Sequence, residues 1–541
     1  MNSRMAWWVI DQLVQQGVRH ICLAPGSRST PLALAAAHHK AAKLHIHYDE
    51  RGLGFYALGL SLATGVPAAV IVTSGTAVGN LLPSVMESFH SHTPLILLTA
   101  DRPPDLLYAG ANQTCDQLNL FGHFVRGQIH LPTAESHVTE NYVRSSIAHG
   151  VCLATEAPGA VHINWHIREP LFTPPFPHLP EGNPIKLVHS EATPKISTKL
   201  SGRGVIAIGK LPSTTDLQPI LTLAKKLCWP IFADLLSQAR LTPTEEQILH
   251  FDSILKEGSI PAETILHFGD RLTAKTFLSY SPQARRIHVS PWTDLQDPTR
   301  LLTERVIGAP SAFCRSAEIS PAPIDWLASW KEKDRKIQSH IKASLEDTSS
   351  CTEPHSFYAL AQCFHENDSL YLGSGMPIRD ADYFFFPSSM KGRVFSNRGL
   401  SGIDGNIATA AGLSEGLQSP LMAWVGDQAA LHDLNSLPML SSSKYPILLI
   451  ISNNFGGGIF SHLPEIPSTP HFETLFANAH SWNFAQAAQQ FHLPYYKATS
   501  VEELIRLYKT NTHGSSVIEL ITSRELNYAC HRALRETLMV F

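Results

Sequence analysis

The chain has 541 residues, 44% of them apolar, and a formal net charge of −4. That length suggests about three domains with full cores, and the charge balance, with no Lys/Arg block, argues against nucleic-acid binding. No apolar run reaches the roughly 18 residues of a membrane span, and the N-terminal MNSRMAWWVIDQLVQQG, with Asp11 inside its apolar part, reads as an amphipathic helix rather than a signal peptide. The eight cysteines are scattered without a CxxC pair. They fit buried thiols in a reducing compartment, so a cytoplasmic location is expected. Histidine is frequent, at 28 residues, and His38-His39 and His45/His47 stand out, but there is no HExxH and no companion acidic cluster. Surface or strand-face roles are expected for them rather than metal binding.

The first unit opens with a helix over 6–16, then a strand over 20–24 and the turn PGSRST. Ser29 or Thr30 can cap the following helix, with Pro31 in its first turn. Ser27 and Arg28 beside that helix N-terminus make a prepared anion site, and the guanidinium tilts it toward a carboxylate. A strand LHIHY leads to Asp49-Glu50-Arg51-Gly52, a helix over 53–63 and a C-capping Gly65. Further strands over 68–73 and 95–99 end at Ser74-Gly75 and at Asp101-Arg102. Strands alternating with helices imply a doubly wound parallel sheet, in which ligands bind at the carboxyl ends of strands.

The proline-rich LFTPPFPHLPEGNP reads as a linker. Beyond it, strands over 205–208, 231–233, 264–268 and 287–289, with a helix over 217–227, make a second α/β unit. It lacks GxGxxG, so dinucleotide binding is not supported. SAEISPAP is a second linker, followed by a charged helix over 324–343. The third unit has a helix over 356–364, the segment LYLGSGMPIRD, and strands over 421–425 and 447–451 flanking an amphipathic segment over 429–440. It closes on strand SSVIELIT and a terminal helix. The fold class expected is therefore α/β, with three doubly wound parallel-sheet domains over 1–180, 181–350 and 351–541.

The two strands of the third unit end in Gly426-Asp427 and in Asn453-Asn454, followed by Gly456-Gly457-Gly458. Asp427 offers a carboxylate, Asn454 a side-chain carbonyl, and Gly456 a backbone carbonyl that can approach closely; these are hard oxygens suited to Mg²⁺. A metal so held keeps room for phosphates. An ordinary strand–helix–strand unit with polar loops would read the same over so short a stretch.

This Gly-Asp, 26-residue spacer (428–453) and Asn-Asn pattern resembles the diphosphate-anchoring motif of thiamine-diphosphate enzymes. The segments APGSRSTPLALA, DERGLGFYALGL, VIVTSGTAVGNLLPSVMES, LILLTADRPPDL, GANQTCDQ and VFSNRGLSGIDGNIATAAGL resemble one family among them. It is the 2-succinyl-5-enolpyruvyl-6-hydroxy-3-cyclohexene-1-carboxylate synthase family of the menaquinone pathway, and the likeness covers all three units. The resemblance implies thiamine diphosphate with Mg²⁺ (or Mn²⁺) as cofactors. It implies decarboxylation of 2-oxoglutarate and addition of the resulting carbanion to isochorismate, in a homodimer or homotetramer. Glu50 then hydrogen-bonds the aminopyrimidine and promotes the tautomer that generates the ylid, a task suited to an apolar setting. Asp427, Asn454 and Gly456 hold the metal, Ile403 and Phe460 contact the cofactor, and Ser27, Arg28, Arg102, Gln113, Lys275, Arg379 and Arg398 face substrate. The chain departs from the family pattern at Thr276 (Arg), Ser374-Gly375 (Asn-Ser), Ala429 (Ser) and Phe455 (Asn). Two other readings remain: an acetolactate synthase-type decarboxylase or lyase, disfavoured by so many arginines, and a decayed binding protein, opposed by the intact Glu50 and Asp427.

Overall fold

Apolar runs bounded by glycine and polar residues form the strands of three large parallel sheets in the computed structural model, which describes residues 1–172, 174, 176, 185, 198–258, 260–387, 390–511 and 514–538. The first sheet has six strands in the spatial order Lys43–Ile46, His20–Leu23, Ala68–Val72, Leu95–Asp101, Ala160–His166, Gly127–Leu131. The third repeats that connectivity with Val394–Phe395, Ser369–Leu372, Leu421–Gly426, Ile447–Asn453, Ser516–Ile521 and Tyr495–Ala498. The middle sheet runs Glu304–Ile307, Arg285–Ser290, Thr264–Phe268, Gly204–Ile208, Ile231–Ala233. Strands such as AAVIV and TILHF are buried along their whole length, as expected where helices cover both faces. The doubly wound α/β class is the one expected.

One apolar cluster joins the first and third units. Helix Glu50–Thr64 and helix Asn406–Leu417 lie backbone to backbone, burying Leu53, Leu58 and Leu60 with Ile407, Ala411 and Leu413. Glycine permits the approach: a Cβ on Gly59 would lie 2.2 Å from Thr409 O, and one on Gly412 2.0 Å from Tyr56 O. A second cluster packs Phe357, Leu370, Trp424 and Ile450 of the third unit together with the middle unit.

Several local expectations change. The helix predicted over 53–63 starts at Glu50, because Asp49 caps it by accepting from Arg51 N at 3.1 Å. Ser29 sits at the N-cap of helix Thr30–His38 but does not cap with its side chain. Its hydroxyl donates back to Gly26 O, and that of Thr30 to Ser27 O. The segment over 429–440 is not one helix but Asp427–His432, a 3₁₀ turn Leu434–Ser436 and Leu437–Ser441. Asp433 breaks it: its Oδ2 accepts from Ile407 N and Ala408 N at 2.7 and 3.0 Å, opening the neighbouring helix instead. Most of the linker expected over 171–184, and the boundary at 180/181 with it, lies outside the described residues.

Candidate active site

In the third sheet the chain reverses its direction of winding between Ser369–Leu372 and Leu421–Gly426, so the ends of these neighbouring strands border a crevice. Asp427 stands there as the first residue of its helix. Its Oδ2 accepts from Gly456 N at 2.9 Å and its Oδ1 from Gln428 N at 2.6 Å, while His480 Nε2 lies 3.4 Å from Oδ2. Burial raises the pKa of this carboxyl. Asn454 donates through Nδ2 to Glu353 Oε1 at 2.9 Å, while its Oδ1 is buried with no hydrogen-bond partner among the described residues. Gly456, at φ 153, passes so close to the chain that a Cβ would lie 2.7 Å from Ala477 O. Asn453 clamps the turn from beneath, donating to Glu519 Oε1 at 2.6 Å and Trp482 O at 2.9 Å. The Phe460 ring stands 6.1 Å from that of Phe476, at the start of the following loop. Glu353 itself is fully buried; desolvation, then the nearby Asp380 carboxylate, pushes its pKa up to about 8.

In the first unit, Glu50 is half-buried at the head of its helix, and its Oε2 accepts from Asn80 Nδ2 at 3.2 Å. The helix start that carries it follows strand Lys43–Ile46, at the carboxyl end of the first sheet. Ser74 gathers two of the predicted residues, Arg102 and Gln113. Arg102 donates to its hydroxyl, that hydroxyl donates to Gln113 O at 3.0 Å, and Gln113 Nε2 donates to its carbonyl at 3.0 Å. Arg28 is buried, donating to Ile167 O at 3.0 Å and Glu169 Oε1 at 3.2 Å, and Glu169 is 71% exposed. Burial, then the charge of Arg28, lowers Arg102. Ser27 is exposed at the rim of this group.

The second basic group belongs to the third unit and its border with the middle one. Arg379 donates to Ser374 O at 2.8 Å, and burial followed by the charge of Arg398 brings its pKa to about 10. Lys275, exposed, lines a cavity of about 350 Å³ with Thr276, Met376, Arg379 and His462. Among the described residues no hydrogen bond or ion pair links Arg28, Arg102 and Gln113 to Lys275, Arg379 and Arg398. Ile403 is 46% exposed, on a loop that Asn406 pins by donating to Ile403 O at 2.7 Å.

Among the described residues no cluster of three or more His, Cys, Asp or Glu is placed to hold a metal. His45 stacks on His20 at 5.2 Å, and burial brings the two to about 3 and about 4. The oxygens of Asp427, Asn454 and Gly456 fit a hard divalent cation, since the buried Asn454 Oδ1 faces no protein donor beside a buried carboxylate.

Residues 4–120 match the family described as thiamine pyrophosphate enzyme, N-terminal TPP binding domain; 183–372 match the middle domain of thiamine pyrophosphate enzymes, and 375–520 the C-terminal TPP binding domain. A protein of Chloroflexus aurantiacus named 2-succinyl-5-enolpyruvyl-6-hydroxy-3-cyclohexene-1-carboxylate synthase is 36% identical over 97% of this chain and 94% of its own length. Proteins of the same name from Listeria welshimeri and Rubrobacter xylanophilus are 34% and 35% identical, over 97% of this chain and 95% and 96% of theirs. The chain belongs to this synthase family.

Within the synthase family, this chain's departures have visible local consequences. Thr276 points its hydroxyl at Asp252 Oδ1, and Asp252 also pairs with Lys256 at 2.7 Å. Ser374 donates to Asn397 O, so its hydroxyl serves the backbone. Phe455 occupies φ 62, a left-handed region in which asparagine, the residue the resemblance leads one to expect here, is more at ease than phenylalanine. Sequence reasoning missed Glu353, Glu87 and His480. Glu87, buried in the first unit, accepts from Gly399 N and Leu400 N at 2.8 Å each and so holds the loop bearing Arg398. No local pattern marks these residues; they are found only by asking what the site residues touch.

Proposed function

We propose that the chain is a thiamine-diphosphate-dependent transferase of menaquinone biosynthesis. It decarboxylates 2-oxoglutarate and adds the resulting four-carbon unit to isochorismate, giving 2-succinyl-5-enolpyruvyl-6-hydroxy-3-cyclohexene-1-carboxylate. What carries this reading is the unpartnered Asn454 carbonyl beside Asp427, in a chain so closely related to synthases of that name. Asp427, Asn454 and the Gly456 carbonyl would hold Mg²⁺ or Mn²⁺, with Ile403 and Phe460 against the cofactor. Thiamine diphosphate, when bound, supplies the electron sink for loss of CO₂.

The remaining work falls to the chain's own groups. Asn80 orients the Glu50 carboxyl through Oε2, and Oε1 is the atom at which Glu50 holds and passes a proton. Arg28 and Arg102 form one anion subsite, with Ser27 and Gln113 at its edge. Glu169, being exposed, is a partner that a substrate carboxylate can displace from Arg28. Arg379, Arg398 and Lys275 form a second. Two subsites suit two substrates that carry several carboxylates between them, and small neutral acceptors would need neither. Excluding water around these subsites would remove a competing proton source from the reacting centre.

The working unit is a homodimer or a homotetramer, in which the first domain of one subunit faces the third domain of another across the cofactor. The exposed Tyr48, Leu400, Ile403 and Trp482 around the site loops support a covering partner. Domain limits at 180 and 350 keep each large sheet within one unit. A cytoplasmic location is consistent with the finding that, among the described residues, no helix is long and apolar enough to cross a membrane. The deciding experiment measures CO₂ release from 2-oxoglutarate with and without isochorismate. Release coupled to isochorismate consumption is expected. Release coupled instead to a small 2-oxo acid, or none at all, would overturn the reading.

A further inference from the structure

An asparagine amide can serve a cation only if its oxygen, not its nitrogen, faces it. Nothing in Asn454 itself decides this, because the two ends have nearly the same shape. Its neighbours do. Nδ2 donates to Glu353 Oε1 at 2.9 Å, and that oxygen also accepts from Asn527 Nδ2 at 2.8 Å and from Thr522 Oγ1 at 3.4 Å. Asn527 in turn accepts from Glu353 N at 2.9 Å, bridging the main chain and side chain of residue 353. Glu353 is the first residue of helix Glu353–Ala361, whose Thr352 cap accepts from His355 N, so the carboxyl starts from a rigid element. Two other donors, Asn527 Nδ2 and Thr522 Oγ1, already point at this buried oxygen, so it acts as an acceptor and rejects the oxygen end of an amide, since two acceptors would then face each other. The Asn454 oxygen is thereby left on the opposite side, buried and unpartnered.

We infer that Glu353 is a positioning residue: it holds the Asn454 amide by its nitrogen so that Oδ1 is presented to the divalent cation. The inference rests on the metal reading given above, and it gives a residue from a separate helix a part in cofactor capture. Outer partners of this kind typically change metal affinity by about 10- to 100-fold.

The test is Mn²⁺ titration of the full-length protein in the presence of thiamine diphosphate, followed by electron paramagnetic resonance, with thermal unfolding of each variant alongside. Glu353→Ala is expected to bind Mn²⁺ about 10- to 100-fold more weakly than the wild type. Glu353→Gln, which keeps a carbonyl for Asn454 Nδ2, is expected to recover most of that affinity. Thr522→Val removes a different donor from the same oxygen and is expected to leave the affinity unchanged, whatever it does to the unfolding temperature. Should Glu353→Ala fail to fold, Glu353→Asp withdraws the carboxyl by one methylene and is expected to fall between wild type and that range. Wild-type affinity in Glu353→Ala or Glu353→Asp overturns the inference while leaving the metal site standing. Equal losses in Glu353→Gln and Glu353→Ala overturn it too, by assigning the effect to charge. A loss in Thr522→Val as large as in Glu353→Ala overturns it by assigning the effect to packing. A wild type that binds no Mn²⁺ with thiamine diphosphate removes the metal reading itself, and the inference with it.

Discussion

The first and third units meet at close quarters at the glycine crossing, and Gly59→Ala probes it. The added Cβ would lie 2.2 Å from Thr409 O and 2.9 Å from Leu413 N. Both are backbone atoms of helix Asn406–Leu417, so no side chain can rotate away. Ordinary contact starts near 3.4 Å, so the helices must part by about 3.4 − 2.2 = 1.2 Å locally. Overpacking of this kind costs about 1–3 kcal/mol, and the better helix propensity of alanine returns up to about 1 kcal/mol. The functional effect is expected to be larger than the stability effect. Gly59 shares its helix with Glu50, and the opposing helix follows the Ile403 loop directly. A misplacement of about 1 Å at reacting groups costs on the order of 100-fold in rate. The assay is CO₂ release from 2-oxoglutarate at saturating cofactor and isochorismate, with thermal unfolding measured in parallel. Gly412→Ala, reciprocal at 2.0 Å from Tyr56 O, should behave alike. Gly79→Ala, with nothing within 4 Å of its added Cβ, should be neutral. Wild-type rate and unfolding temperature in Gly59→Ala would refute the claim that this crossing sets the position of Glu50.

Asp427→Ala removes the only carboxylate proposed as a metal ligand, and calorimetry should show thiamine diphosphate affinity falling by more than about 100-fold, beyond the loss typical of an outer partner; unchanged affinity would sink the assignment. Thr276→Arg restores the family's residue, but Asp252 already holds the Thr276 hydroxyl. The new guanidinium is therefore expected to lower KM for one carboxylate substrate with little change in kcat, and by less than the ~1.5–3 kcal/mol of a full charge-assisted contact; no KM change for either substrate would place residue 276 outside the site. Phe455→Asn relieves a left-handed backbone that costs about 1–2 kcal/mol, so a raised unfolding temperature is expected from calorimetric scans, and a lowered one would show that the ring's packing near His480 outweighs the strain. Co-expressed, differently tagged Glu50→Ala and Asp427→Ala chains should form a heterodimer with one intact site and about half the wild-type activity if sites act independently; a heterodimer as inactive as its parents would reject the shared-site arrangement.

Much of the architecture was legible locally. Strands Ile231–Ala233 and Thr264–Phe268 lie where the apolar runs put them, because a run of such residues bounded by polar ones has few other ways to bury itself. The Asp427 to Asn454 spacing placed both residues at the ends of adjacent strands, since one helical crossover between parallel strands needs about that much chain. The capping Gly65 was readable too, at φ 72. Other features depended on partners distant in sequence. The segment over 429–440 broke because Asp433 caps a helix that starts 27 residues earlier, at Asn406 (433 − 406), and no local periodicity encodes that demand. Gly59 and Gly412 carry no signal until two helices are brought together. Glu353 lay just ahead of the helix expected over 356–364 and carried no signal until folding set it beside Asn454, 101 residues away. The sequence by itself determined which segments become strands and helices and which chemical groups stand at their ends, because those follow from periodicity and local hydrogen bonding. Only the tertiary structure decided which way those groups point, because orientation is set by close contacts and shared hydrogen bonds between segments far apart in the chain.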